Sequence, residues 1–137
     1  MPETLQNARA RLGLVLVDTS VWVDFIRSGV PQLSHLLTHE RVLIHDMVIG
    51  EIACGSVPGR RERLAVMGEL SKIESAEHLE VLRFIEKHRL FGCGIGYVDN
   101  HLLASVALTP ECRLWSRDKR LHAAAQRLGC SFAEFAH

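Results

Sequence analysis

A chain of 137 residues with 47% hydrophobic and 23% charged side chains supplies one domain with a sizeable core, and too little material for two. Its 16 Lys and Arg balance its 16 Asp and Glu, which excludes a global positive field that draws a protein onto nucleic acid. Any such surface is a local patch. No apolar run approaches the length of a membrane span. The four cysteines are scattered, with no C-x-x-C pair and no signal-peptide pattern, and read as reduced, buried or half-buried thiols of a cytoplasmic protein.

Residues 1–12 are polar and mixed and are read as a loose N-terminal extension, with the domain expected over 13–137. Leu14-Val15-Leu16-Val17 is an aliphatic run that predicts a strand buried on both faces, as the centre of a parallel sheet requires. The run stops at Asp18. Thr19 and Ser20 offer caps for a helix whose apolar positions Val21, Trp22, Phe25 and Ile26 recur at helical spacing. Asp18 therefore has two readings: a helix cap, or an acid at the carboxyl end of a central strand, where open α/β sheets place ligands. Ser28-Gly29-Val30-Pro31 stops one helix and starts the next, marked by Leu33, Leu36 and Leu37. Arg41 to Asp46 predicts a second strand closed by an acid, with Asp46 read as the cap of the following helix, Met47 to Gly55. Within that helix Glu51 stands alone among apolar residues. Burying an unpaired carboxylate is costly, so Glu51 must face a partner, water or a cation.

After the turn at Val57-Pro58-Gly59, a helix fronted by Arg60, Arg61 and Arg63 carries Leu64, Met67 and Leu70. Lys72 to Ser75 reads as a short edge strand. Glu77 to Leu90 predicts a long helix with Leu79, Leu82 and Ile85 facing inward and Phe84 a further candidate for that face. The glycine-rich stretch Phe91 to Val98 lacks a preceding strand and a Walker lysine, so it reads as a tight loop and not a phosphate cradle. Asp99-Asn100-His101 opens a helix through Leu108 that is apolar nearly all round and therefore central, with Asp99 able to serve as its N-cap. Cys112 to Ser116 predicts a strand and Leu121 to Leu128 a helix, so Asp118 stands just beyond a strand end, as Asp18 does. Ser131 to Phe135 alternates and predicts a final edge strand. Strands alternating with helices imply an α/β fold with a mostly parallel sheet covered on both sides. Trp22 and Trp115 read as core, and His45 and His101 as capping or packing residues.

Asp18, Glu51, Asp99 and Asp118 are acids at element junctions or inside apolar runs. Gathered in one cleft they repel one another, and their pKa values rise unless a cation binds them. Oxygen ligands without a cysteine cluster favour Mg²⁺ or Mn²⁺ over zinc. Such an ion activates a water and stabilises a phosphodiester under in-line attack.

The segments Val-Asp18-Thr-Ser-Val-Trp, Val-Ile-Gly-Glu51-Ile-Ala, Gly-Ile-Gly-Tyr-Val-Asp99-x-His-Leu-Leu-Ala-Ser and Leu-Trp-Ser-Arg-Asp118-Lys-Arg-Leu resemble the PIN-domain ribonucleases. Among these they are most similar to the VapC toxins of VapBC toxin–antitoxin pairs. The resemblance runs from about Leu14 to the C-terminus. It implies a three-layer α/β/α sandwich, Mg²⁺- or Mn²⁺-dependent cleavage of RNA that inhibits translation, a homodimer, and neutralisation by a VapB-type antitoxin. It places Asp18, Glu51, Asp99 and Asp118 at the family's acidic positions. On this reading Asp18 and Asp99 are principal metal ligands, Asp118 a direct or water-mediated one, and Glu51 binds a second ion or orients the attacking water. Ser116 matches a hydroxyl position beside the last acid. Arg60, Arg61, Arg63, Arg117, Lys119 and Arg120 are candidate phosphate contacts flanking the cleft; Arg60, Arg61 and Arg63 read at least as well as solvated helix faces, and Arg117 and Lys119, which bracket Asp118, have the better claim. Asp24 reads as a solvent-facing acid. Two other function classes compete with the nuclease: a catalytically silent PIN-like binding module, and a Mg²⁺-binding phospho-acceptor domain, which would bring two adjacent acids after its first strand where this chain has Asp18 followed by Thr19.

Overall fold

The computed structural model describes residue 4 and residues 13–134. The loose extension expected over 1–12, Thr4 apart, lies outside the described residues, as does Phe135 of the last expected strand. In chain order the elements are β1 (Leu14–Val17), α1 (Thr19–Ser28), α2 (Pro31–Thr38), β2 (Val42–Leu43), α3 (Asp46–Cys54), α4 (Arg60–Gly68), α5 (His78–His88), α6 (Tyr97–Ala107), β3 (Cys112–Trp115) and α7 (Lys119–Arg127).

β1 lies in the middle of a wholly parallel sheet of order β2-β1-β3. Val15 and Leu16 pair with Val42 and Leu43 on one side, while Leu14 to Val17 pair with Cys112 to Trp115 on the other. The aliphatic run is hydrophobic on both faces because helices cover both. The crossover from β1 to β2 and the one from β2 back past β1 to β3 run in opposite directions. With right-handed connections their helices fall on opposite faces, giving three α/β/α layers. The two edge strands expected from the sequence shrink to single parallel bridges, Ile44 with Lys72 and Leu114 with Ser131.

The core holds Leu16, Leu33, Ile44, Ile52, Leu102, Leu103, Leu114 and Leu121, together with both tryptophans. α6 is buried from Asn100 through Val106, as its all-round apolar pattern requires. α5 differs from expectation. Leu79 and Leu82 are 61% and 42% exposed, and Val81 is the fully buried residue, packing with Phe84 and Ile85 on Ala76 and Ala104. The inward stripe is therefore 81-84-85: Ile85 and Phe84 pack inward as expected, and Val81 takes the place of Leu79 and Leu82. Periodicity alone could not choose, because α5 is apolar at both sets of positions.

Two helix starts also move. His45, not Asp46, is the N-cap of α3: its Nδ1 accepts the Met47 N–H at 3.0 Å. Asp46 instead pairs with Lys72 on the surface, at 2.9 Å. α6 begins at Tyr97, so Asp99 is its third residue and not its N-cap.

The capping His45 is buried, and its ring meets that of buried His101 edge-on at 4.9 Å. Burial, reinforced by His101 and partly opposed by Asp46, lowers the His45 pKa from 6.5 to about 4. The neutral ring is also the form whose Nδ1 lone pair caps the helix. In the unfolded chain His45 takes up a proton below about 6.5. Its contribution to stability is therefore full above that pH and lost as pH falls through the interval down to about 4. We expect the urea midpoint to drop across this interval. In His45→Asn, which keeps a cap acceptor and does not titrate there, the drop should be smaller; equal drops in both proteins would refute the assignment.

Candidate active site

In the order β2-β1-β3 the chain leaves the central strand toward opposite sides, and open parallel sheets bind ligands at the carboxyl ends flanking such a switch. Asp18 ends β1 and Ser116 follows β3. The Val17–Trp115 pairing makes them the next rung of the ladder, and the Asp18 N–H donates to the Trp115 carbonyl at 2.9 Å. Asp18 is only 6% exposed. It occupies the N-cap position of α1 yet makes no side-chain cap bond. Its Oδ2 instead accepts the hydroxyls of Ser20 at 2.7 Å and Ser116 at 2.8 Å. The cap reading thus gives way to a buried carboxylate held by two charge-assisted hydrogen bonds from separate elements. Ser20 and Thr19 do not cap α1 either; they are its first residues, and their hydroxyls serve the acids.

The same hydroxyls fix the neighbouring loop. Ser20 Oγ accepts the Arg117 N–H, and Ser116 Oγ accepts the Asp118 N–H, both at 3.0 Å. Asp118 is exposed, and its Oδ1 caps α7 by accepting the N–H groups of Arg120 and Leu121. Glu51 is likewise exposed and accepts the Thr19 hydroxyl at 2.7 Å, tying α3 to α1. Asp99 is half-buried, and its Oδ2 accepts the Gly96 N–H at 3.2 Å. Burial raises the Asp99 pKa above the ordinary carboxylate value. The negative charges of Asp18, Asp118 and Glu51 add to the rise, and the Gly96 hydrogen bond opposes it. Asp99 thus lies within electrostatic reach of the other three acids.

Among the described residues, no three His, Cys, Asp or Glu side chains close around one point as ready-made metal ligands. The donor set still suits a hard cation. Mg²⁺ keeps several waters and needs only one or two direct carboxylates, whereas a structural zinc site needs a tetrahedral nitrogen or sulfur set. Asp18 and Asp118 each spend one oxygen on the hydrogen bonds described and keep the other.

Arg117 takes a different part from the phosphate contact offered by the sequence. Its Nε and Nη2 donate to the two oxygens of Glu134 at 2.7 and 3.1 Å, and Nη1 donates to Asp24 at 2.9 Å. Side-chain hydrogen bonds to Glu134 and then Asp24 raise its pKa further. Glu134 also accepts the Trp115 indole N–H. Asp24, though partly exposed, is therefore an ion-pair partner and not merely a solvated acid. Arg60 donates to the Ala53 carbonyl at the end of α3, a structural task. Sequence reasoning missed Ser20 as a support of Asp18 and Glu134 as a partner of Arg117. The first had a signal in its spacing of two residues from Asp18; the second had none.

No protein-family model matches this chain. It is 43% identical over 121 residues to Ribonuclease VapC32 of Mycobacterium tuberculosis, recorded from two strains, covering 88% of this chain and 98% of the relative. The chain belongs to the VapC ribonuclease family. The fold is also similar to that of PAE2754 from Pyrobaculum aerophilum, with a TM-score of 0.55, 21% identity and coverage of 90% and 88% of the two chains. The α/β architecture expected of a VapC family member is thus the one observed.

Ionised Asp99 is disfavoured in this fold. Its destabilising effect is absent below the ordinary carboxylate pKa and complete above the raised one. In metal-free buffer at neutral pH we expect Asp99→Asn to melt at a higher temperature than the native chain, with the gap closing at acidic pH. A lower melting temperature for the variant at neutral pH would mean that the carboxylates do not crowd.

Proposed function

We infer that this VapC family member is an endoribonuclease dependent on Mg²⁺ or Mn²⁺, the toxin of a toxin–antitoxin pair whose substrate is RNA and whose neutralising partner is a VapB-type protein. The observation that carries the reading is Asp18, buried at the carboxyl end of the central strand and held by the Ser20 and Ser116 hydroxyls, with half-buried Asp99 within reach of its charge and those of Asp118 and Glu51. Acids alone repel a polyanion; acids with a divalent ion attract one.

Asp18, Asp99 and Asp118 would hold the hydrated ion, with Glu51 at the rim. When bound, the ion supplies a water of lowered pKa and stabilises charge on the phosphodiester. Ser20 and Ser116 hold Asp18 Oδ2 and so fix the direction of its other oxygen. Ser116 also sets the backbone of Asp118. Glu51, held by Thr19 and open to solvent, is the carboxylate free to orient the attacking water and take its proton. A homodimer in solution is part of the same family reading. Among the described residues no helix is long and apolar enough to cross a membrane.

Purified chain should cleave RNA with Mg²⁺ or Mn²⁺ and stop on chelation. Asp18→Asn or Asp99→Asn should lower the rate by about 10³-fold, corresponding to several kcal/mol of lost charge stabilisation, with circular dichroism unchanged. Native rates in these variants would remove the site. RNA binding without cleavage in Mn²⁺ would favour the silent binding module. Expression alone should arrest growth, and coexpression of the antitoxin encoded beside it should restore growth.

A further inference from the structure

Beyond the acids, α7 carries a row of cations on the side facing the glycine-rich loop. A groove of about 290 Å³ is lined by Cys93, Lys119, Arg120, Ala123, Ala124 and Arg127, with no carboxylate in its wall. Positions 119, 120, 123, 124 and 127 form one face of a helix. Across from them Gly94 sits at φ +84°, and the Arg120 side chain lies over it so closely that a Cβ there would stand 2.6 Å from the Arg120 Cδ. At its left-handed φ, residue 94 favours glycine, and the missing side chain leaves room for Arg120 to lie over the loop. Arg127 Nη2 donates to the His88 and Arg89 carbonyls, which fixes the far end of the groove. Among the described residues, none of Lys119, Arg120 and Arg127 pairs with a carboxylate, in contrast to Arg117.

The groove begins where the acids end. Lys119 follows Asp118 directly, and Gly94 precedes by two residues the Gly96 whose N–H holds Asp99. The geometry points to this groove as the track for the phosphate backbone of single-stranded RNA leaving the acidic centre. Lys119 and Arg120 neutralise the phosphates next to the cleaved bond, and Arg127 neutralises one further along. The inference rests on the endoribonuclease reading and adds to it the surface that holds the strand. Three cations that, among the described residues, pair with no carboxylate stand beside the acids in a chain of zero net charge, a local separation of sign complementary to a polyanion held at one metal-bound phosphate. Its polar side chains are cations suited to phosphate oxygens, so the track is expected to bind backbone with little dependence on sequence.

The test uses the full chain with Lys119→Gln and Arg120→Gln, each checked for an unchanged melting temperature. In an Asp18→Asn background, anisotropy of a labelled single-stranded RNA is followed against salt concentration. Each substitution should lower the slope of log affinity against log salt by about 0.7, the value for one lost single-strand phosphate contact. In the otherwise native chain with Mn²⁺, KM should rise several-fold while kcat holds, the pattern of lost uniform binding. Arg120→Lys, which restores the charge, should recover most of the slope. Native slope and native KM in both Gln variants, with cleavage intact, would overturn the track and leave the nuclease standing. RNA binding with the expected slope changes but no cleavage by the native chain would overturn the nuclease and not the groove. Unchanged RNA kinetics with escape from antitoxin inhibition would assign the groove to the protein partner and overturn the inference.

Discussion

A carboxylate buried at the end of the central strand is the most expensive single feature of this molecule, and the arrangement around it follows from making that burial tolerable. Asp18 is held by the hydroxyls of Ser20 and Ser116, and the same hydroxyls accept the N–H groups of Arg117 and Asp118. One small network thus stabilises a charge, positions a second acid and starts α7. It depends on the register of β1 against β3: Val17 opposite Trp115 brings residues 18 and 116 together at the next rung. A slip of one residue would turn the side chains to the opposite faces and leave the carboxylate unsatisfied. Glu134 reinforces the register from outside, by accepting the Trp115 indole N–H and both arms of the Arg117 fork.

How much of this was legible in the sequence depends on the range of the interactions. β1 and α6 are legible because their residues are apolar on nearly every side, and only a central position buries them. Asp18 and Asp118 are legible because each is the acid that follows an aliphatic strand. Whether such an acid caps a helix was not legible, since both sit at N-cap positions; only Asp118 uses its side chain so. The pairing of Arg117 with Asp24 spans 93 residues and leaves no local trace. The capping role of His45 lay hidden behind the better statistical cap beside it, and tertiary packing of the two histidines decided it. The edge strands at Lys72 and Ser131 failed for a simpler reason. Each pairs with one strand only, and nothing beyond a single rung favours extension.

The zero net charge of the chain hides a strong local order. Asp18 and Asp118 follow the carboxyl ends of β1 and β3, with Asp99 within electrostatic reach of both, while the cations of α7 begin one residue past Asp118. The cations cannot relieve the acids: Asp118 spends one oxygen on the first N–H groups of α7, and Arg120 is drawn away over Gly94. Arg117, the cation nearest in sequence, is withdrawn from them by Asp24 and Glu134. Among the described residues, the side chains of Arg117 and Arg120 are thus both engaged elsewhere than on Asp118.

That separation explains why the repulsion felt by Asp99 persists in the folded chain. A neighbouring lysine or arginine would lower the pKa of Asp99 and stabilise the protein. It would also neutralise the field on which the proposed divalent ion depends. Under the proposed function, stability and chemistry are opposed at this residue. Gly96 marks how the opposition is resolved: its backbone N–H supports the carboxylate without supplying a formal charge. The cluster is held in place by dipoles and hydroxyls, which orient oxygens, and not by cations, which would satisfy them.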